Sequence, residues 1–128
     1  MNPELRYREG TDLSVDHLAE LFEVLGWGWQ VPNLARLVSG STWAVSAWDD
    51  SRLVGFARVL SDDVRETVLH DVGVHPSYQG YGIGTALVER VVARYGHTRI
   101  LLTRRSELDA FYVRFGFQST DRAMERRY

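Results

Sequence analysis

The stretch Val72 to Leu87, VGVHPSYQGYGIGTAL, constrains this chain more than any other. An apolar segment ends in Val-Gly-Val, a short loop follows, and Gln79-Gly80-Tyr81-Gly82-Ile83-Gly84 opens a run of helical apolar spacing. A strand that feeds a helix this way makes a crossover, and the strand after the helix should lie parallel to the first. Glycines at a helix start leave backbone N–H groups uncovered, and the helix dipole adds partial positive charge there. The combination makes a site for a phosphate or pyrophosphate. The alternative for the same glycines is a tight turn before a packed helix.

The rest of the chain fits around that unit. Leu5 to Glu9 alternates like a short edge strand. Ser14 is placed to cap a helix whose apolar face is Leu18, Leu21, Phe22 and Leu25. Gly26 to Trp29 breaks it, and Pro32 to Ser39 suggests a further short helix stopped by Gly40. Thr42 to Trp48 and Leu53 to Leu60 read as a hairpin across the turn Asp49-Asp50-Ser51-Arg52. Thr67 to Val74 is the third of these strands. The helix after the glycines should run from Ile83 to Tyr95 and bury Ile83, Leu87, Val88, Val91 and Val92. Arg99 to Thr103 is the next strand, Glu107 to Phe115 a helix ended by Gly116, and 117–120 and 123–128 final strands. This predicts one α+β domain over residues 1–128 with a mixed sheet.

Composition narrows the chemistry. The 128 residues contain no cysteine, which excludes disulfides, thiolate metal sites and a cysteine nucleophile. The four histidines show no metal-ligand spacing, so no metal is expected. A net charge of −2 argues against nucleic-acid binding through bulk positive charge. No apolar run reaches the length of a membrane span, and the charged start lacks the apolar core of a signal peptide, so a cytoplasmic protein with no membrane partner is expected.

The glycines do not fit two familiar phosphate binders. A P-loop needs Gly-Lys-Ser/Thr, whereas Gly84 is followed by Thr85-Ala86. A dinucleotide fingerprint needs its glycines directly after the strand, whereas His75 to Tyr78 and Gln79 intervene. Gln79 to Gly84 instead resembles the Q/R-x-x-G-x-G/A signature of the GNAT superfamily of acetyl-CoA-dependent N-acetyltransferases. Val72-Gly73-Val74-His75-Pro76 resembles the strand end that precedes it, and Phe111-Tyr112-Val113-Arg114-Phe115-Gly116-Phe117 resembles the family's late helix-to-strand motif. The order of elements is similar over essentially the whole chain.

The resemblance implies a GNAT-type, mainly antiparallel sheet flanked by helices, with a splayed central parallel strand pair. The pantetheine arm of acetyl-CoA would lie in the splay, pairing with backbone groups around Val72, Gly73 and Val74. Amides from Gln79, Gly80, Tyr81, Gly82, Ile83, Gly84 and Thr85 would hold the pyrophosphate. Many family members carry an asparagine after the following strand. Arg105 stands there instead, beside Arg104, and is expected to meet cofactor phosphates. Homodimers are common in the family, so a homodimer is a further expectation.

Acetyl transfer to an amine needs a neutral nucleophile, and an alkylammonium of pKa about 10 is only about 0.1% deprotonated at pH 7. It also needs a proton for the leaving thiolate. The resemblance places Tyr112 near the thioester sulfur as general acid, and a phenol of pKa about 10 stays protonated at neutral pH. Strand alternation puts Val68, His70, Val72 and Val74 on one face, where related enzymes carry their base. His70 is the titratable residue among them and becomes the candidate base or water-orienting group, unless a bulge near Gly73 brings Asp71 in. Asp71 could equally bind a cationic substrate or pair with an arginine. Trp27 and Trp29, in the segment that usually shapes the acceptor pocket, offer aromatic faces for an aryl group or a cation. The resulting expectation is transfer from acetyl-CoA to a small-molecule amine of arylalkylamine or polyamine type by direct attack. The alternatives are a protein lysine or N-terminal acetyltransferase and a non-catalytic acyl-CoA-binding sensor.

Overall fold

A computed structural model describes residues 4–28 and 32–128. Strand β1 (Leu5–Glu9) leads into helix α1 (Val15–Val24), then α2 (Leu34–Ser39), β2 (Trp43–Asp49), β3 (Arg52–Ser61) and β4 (Glu66–Val74). Helix α3 (Ile83–Tyr95), β5 (Arg99–Leu102) and α4 (Asp109–Val113) complete the order. The five strands form one sheet in sequence order, antiparallel except for the parallel β4–β5 pair. That parallel pair follows from the α3 crossover.

Helices cover both faces. One core gathers Ile83, Leu87, Val88, Val91 and Tyr95 of α3 against Trp43, Val45, Ala57, Val59 and Leu69 of the sheet. The other packs Leu18, Leu21 and Phe22 of α1 and Val38 of α2 against Ala44, Trp48, Leu53 and Phe56. Trp43 and Trp48 therefore sit in opposite cores, as alternation along β2 requires. Ser14 caps α1 by accepting from the Asp16 N–H at 3.3 Å.

Three expectations fail. No strand forms after β5: residues 117–128 have no regular structure. A strand persists when one face is buried, and here Met124 and Tyr128 are fully exposed among Arg122, Glu125, Arg126 and Arg127. The parallel pair consequently stands at the sheet's edge, not at its centre. The last helix is also shorter than the 107–115 expected. Ser106–Leu108 forms a 3-10 turn, α4 proper spans Asp109–Val113, and Gly116 at φ +90° follows.

Candidate active site

The β4–β5 pair is closed at one end and open at the other. Glu66 to Leu69 stand opposite Arg99 to Leu102, after which β5 ends while β4 continues unpaired on that side to Val74. A hydroxyl chain fastens the closed end. The Asp63 N–H donates to Ser61 Oγ, Ser61 Oγ lies 2.8 Å from Thr67 Oγ1, and Thr67 Oγ1 lies 2.7 Å from Thr98 Oγ1. Thr98 donates to the Tyr95 carbonyl, so Thr67 donates to Thr98, and the one proton of Ser61 Oγ is shared between the Thr67 hydroxyl and the Glu66 carbonyl at 3.1 Å.

Beyond Leu69 the ladder is interrupted. Arg58 pairs with His70 and Phe56 with Gly73, so Asp71 and Val72 together oppose Ala57. Asp71 takes φ +54°, and this bulge shifts the side-chain parity. Val72 and Val74 join Leu69 on the α3 side, while Gly73 faces Leu25 and Trp27 of the α1 side. The single face expected for residues 68, 70, 72 and 74 is therefore split: His70 stays on the α1 face, and Val72 and Val74 do not. The bulge sits at Asp71, two residues before Gly73, and it does bring Asp71 to the site.

The backbone groups at the strand end divide between β3 and the open side: the Phe56–Gly73 pair turns those of Gly73 toward β3, against the expectation for that residue. The His75 N–H donates to the Val54 carbonyl at 2.8 Å, which makes the neighbouring Gly55–Val74 pair the non-hydrogen-bonded kind. Val74's own N–H and C=O thus point away from β3, into the open side. Gln79 Nε2 folds back to within 3.3 Å of that carbonyl. Gly80 and Gly82 take φ +90° and +79°, where a side chain is strained, and Gly82 begins α3. The first intrahelical bond runs from the Ala86 N–H to the Gly82 carbonyl, leaving the Ile83, Gly84 and Thr85 N–H groups to face outward. Gly84 lies under Phe111, whose Cζ would be 3.4 Å from an added Cβ, so the glycine loop and α4 are in contact. The Tyr81 side chain is exposed.

A cavity of about 510 Å³ occupies the open end of the strand pair. His70, Asp71 and Val72 line it from β4, Tyr112 from α4, Leu25 and Trp27 from the α1 side, and Arg105 from the segment after β5. A larger cavity of about 1030 Å³ lies beyond β5, against residues 115–123, and contains none of the glycine-loop residues or candidate catalytic groups. The smaller one, where the titratable groups converge, is the candidate active site. Trp29 lies outside the described residues.

Electrostatics sharpen the roles. Burial, and then the Arg58 guanidinium, push the His70 pKa below its usual 6.5, with Asp71 opposing, so the ring is neutral at pH 7. Burial pushes the Tyr112 phenol above 10, so it keeps its proton. Its ring is held edge-on by Phe111 at 5.0 Å and Phe117 at 5.7 Å. Asp71 Oδ2 accepts from Arg58 Nε at 2.6 Å, which is the arginine pairing weighed for it. Arg104 is engaged by Asp109 and Ser119, whereas Arg105 has no carboxylate partner among the described residues. Arg58 was not among the residues singled out from the sequence. A lone charge inside the apolar run LVGFARVL was its signal.

An α+β sheet open between its parallel strands, with uncovered amides at the helix start beside it, defines a class of domain with room beside a strand and a seat for an anionic group. The profile described as "Acetyltransferase (GNAT) domain" matches residues 40–119. The chain belongs to the GNAT family, whose acetyltransferases use acetyl-CoA. It is 36% identical over 118 residues to serotonin N-acetyltransferase 2 (chloroplastic) of Oryza sativa subsp. japonica, covering 86% of this chain and 59% of that protein. It is 28% identical over 131 residues to a histone acetyltransferase of Glycine max, covering 91% and 57%. A GNAT-family acetyltransferase from Streptococcus pneumoniae TIGR4 shares the fold at a TM-score of 0.84 and 22% identity, covering 98% of this chain and all of that one. The chain spans about six-tenths of the length of the curated relatives it matches. Among the described residues no helix is long and apolar enough to cross a membrane.

Proposed function

We propose that this chain transfers the acetyl group of acetyl-CoA to the primary amine of a small arylalkylamine by direct attack. The observation that carries the reading is one cavity lined at once by a neutral imidazole, a protonated phenol and an indole. The residues present fit the cofactor. Val74 offers outward backbone groups for its arm, the Ile83 to Thr85 amides suit its pyrophosphate, and Arg105 suits a further phosphate. Bound acetyl-CoA supplies the thioester.

His70, directly or through water, accepts the proton that the ammonium must lose. The neutral amine would then bond to the thioester carbonyl carbon as the C–S bond breaks; Tyr112 would give its proton to the departing sulfur, and the proton the nitrogen sheds on becoming an amide would restore the phenol. Trp27 and Leu25 provide an apolar wall for the aryl group. The free Oδ1 of Asp71 provides an acceptor for a cationic amine. The serotonin N-acetyltransferase relative supports this acceptor class.

The test is thiol release from acetyl-CoA over a panel of arylalkylamines, polyamines, aminoglycosides, amino acids and a lysine peptide, with Tyr112→Phe alongside. Turnover on an arylalkylamine that falls by about 10²-fold or more in Tyr112→Phe is the expected result. Turnover confined to the peptide would replace the acceptor class with a protein, the substrate class in the name of the Glycine max relative. Cofactor binding without turnover on any amine would favour a sensor.

A further inference from the structure

The loop that leads into the glycines is held by four side chains from outside the cavity. His75 begins the 3-10 turn Pro76–Tyr78, and its Nδ1 accepts from the Ser77 N–H at 3.0 Å. Its Nε2 lies 3.0 Å from Arg52 Nη2 at the start of β3. The Tyr78 hydroxyl donates to Asp49 Oδ2 at the end of β2. The His75 and Tyr78 rings meet edge-on at 5.5 Å, and the Arg52 guanidinium stands 5.8 Å from the Tyr78 ring centre. His75 is buried in this loop, 7% exposed, although it contributes nothing to the cavity. A neutral imidazole has one acceptor nitrogen, so with Nδ1 accepting from Ser77 there is no place for a hydrogen bond from Arg52 to Nε2, and Arg52 holds the loop through the face of the Tyr78 ring.

We propose that Asp49, Arg52, His75 and Tyr78 form a clasp that holds the glycine loop in the shape that receives the cofactor's pyrophosphate. They are positioning residues: the turn they pin ends at Tyr78, and Gln79 to Gly82 follow directly. The β2–β3 turn thereby sets the pose of a cofactor it does not touch. The proposal rests on the assignment of the glycine loop to the pyrophosphate.

Tyr78→Phe removes the hydroxyl and keeps the ring, and two acyl donors separate the loop from the rest of the site. Acetyl-CoA carries the pyrophosphate, whereas S-acetylpantetheine has the same thioester and arm without it. The expected result is a rise of about five-fold in the calorimetric Kd for acetyl-CoA, the scale of one lost hydrogen bond to a charged group in a part-exposed setting. At the same time kcat, and kcat/KM with S-acetylpantetheine, stay unchanged. Asp49→Ala reproduces this, and Asp49→Asn, which keeps an acceptor for the hydroxyl, restores affinity. An equal loss on both donors, or a lower melting temperature with unchanged Kd, overturns the clasp. Wild-type protein that fails to bind acetyl-CoA refutes the pyrophosphate assignment itself, a separate result.

Discussion

Gly73→Ala should uncouple the acceptor from the cofactor. A Cβ at this position would stand 2.7 Å from Leu25 Cδ1, 2.8 Å from Trp27 Cη2 and 3.0 Å from Trp27 Cζ3. Ordinary carbon contacts lie at roughly 3.5–4.0 Å, so the indole edge must retreat by about 0.7 Å or more. Gly73 does not take a positive φ, so alanine suits the backbone and recovers about 0.5–1 kcal/mol of strand propensity. Overpacking costs about 1–3 kcal/mol, leaving a net loss near 1 kcal/mol and a fall in melting temperature of about 4 °C. The new methyl points to the α1 side, and the hydrogen-bonding edge of Gly73 faces β3, so neither enters the cofactor gap. Steady-state kinetics should show an arylalkylamine KM raised several-fold, with the calorimetric Kd for acetyl-CoA unchanged. An unchanged amine KM with weakened acetyl-CoA binding would refute the placement of Trp27 as an acceptor wall.

Other perturbations test the remaining links. Arg58→Met removes the cation that disfavours the His70 imidazolium and leaves Asp71 unpaired beside it. Both changes raise the histidine pKa, so the acid limb of the kcat/KM profile, below 6.5 in the wild type, should move to higher pH; an unmoved limb refutes His70 as the base. Thr67→Val keeps the shape of a fully buried side chain but removes its hydrogen bonds to Ser61 and Thr98, whose protons keep the Glu66 and Tyr95 carbonyls, costing about 1 kcal/mol in a thermal or urea melt. A melt matching the wild type would show that the hydroxyl chain does not fasten the strand pair. Asp62 Oδ1 accepts from the Val64, Arg65 and Glu66 N–H groups, which lower its pKa from 3.8 to about 2. Its charge-dependent stabilisation is complete above 3.8 and is lost as pH falls through about 2, so the melting difference between wild type and Asp62→Ala should narrow over that interval.

Local chemistry made much of the fold legible. Ile83 and Tyr95 bound α3 where apolar spacing placed them, because Gly82 and Gly96 flank a run with one apolar face. Ser14 announced α1, and the Asp-Asp-Ser-Arg turn announced the hairpin. The C-terminal residues misled because β-forming side chains do not make a strand without a face to bury, and residues 120–128 are all exposed. The site was legible in its inventory more than in its geometry. His70, Asp71, Trp27, Tyr112 and Arg105 do meet around one cavity. Their orientation depends on a bulge at Asp71 in a left-handed conformation; aspartate favours that region among non-glycine residues, as Asp50 and Asp63 do in turns, but a lone aspartate within a strand sequence does not announce it.

That bulge is what lets β4 face the cavity and the α3 core at once. A regular strand would direct His70, Val72 and Val74 to one face and leave the other face to Asp71 and Gly73. The extra residue instead gives the α1 side His70, Asp71 and Gly73 in succession, so a titratable ring, a carboxylate and a seat for Trp27 all face the candidate cavity. It returns Val72 and Val74 to the α3 core, where they anchor the strand end that presents backbone groups to the open gap. The cost is the left-handed conformation of Asp71, of the order of 1–3 kcal/mol, and the Arg58 contact at 2.6 Å is positioned to hold it. Asp71→Gly, which relieves the backbone but deletes the ion pair, therefore separates the two terms. If the protein stays as stable as the wild type yet loses amine turnover, the bulge is set by the strand and the carboxylate serves the acceptor. If stability falls sharply, Arg58 is holding the bulge in place.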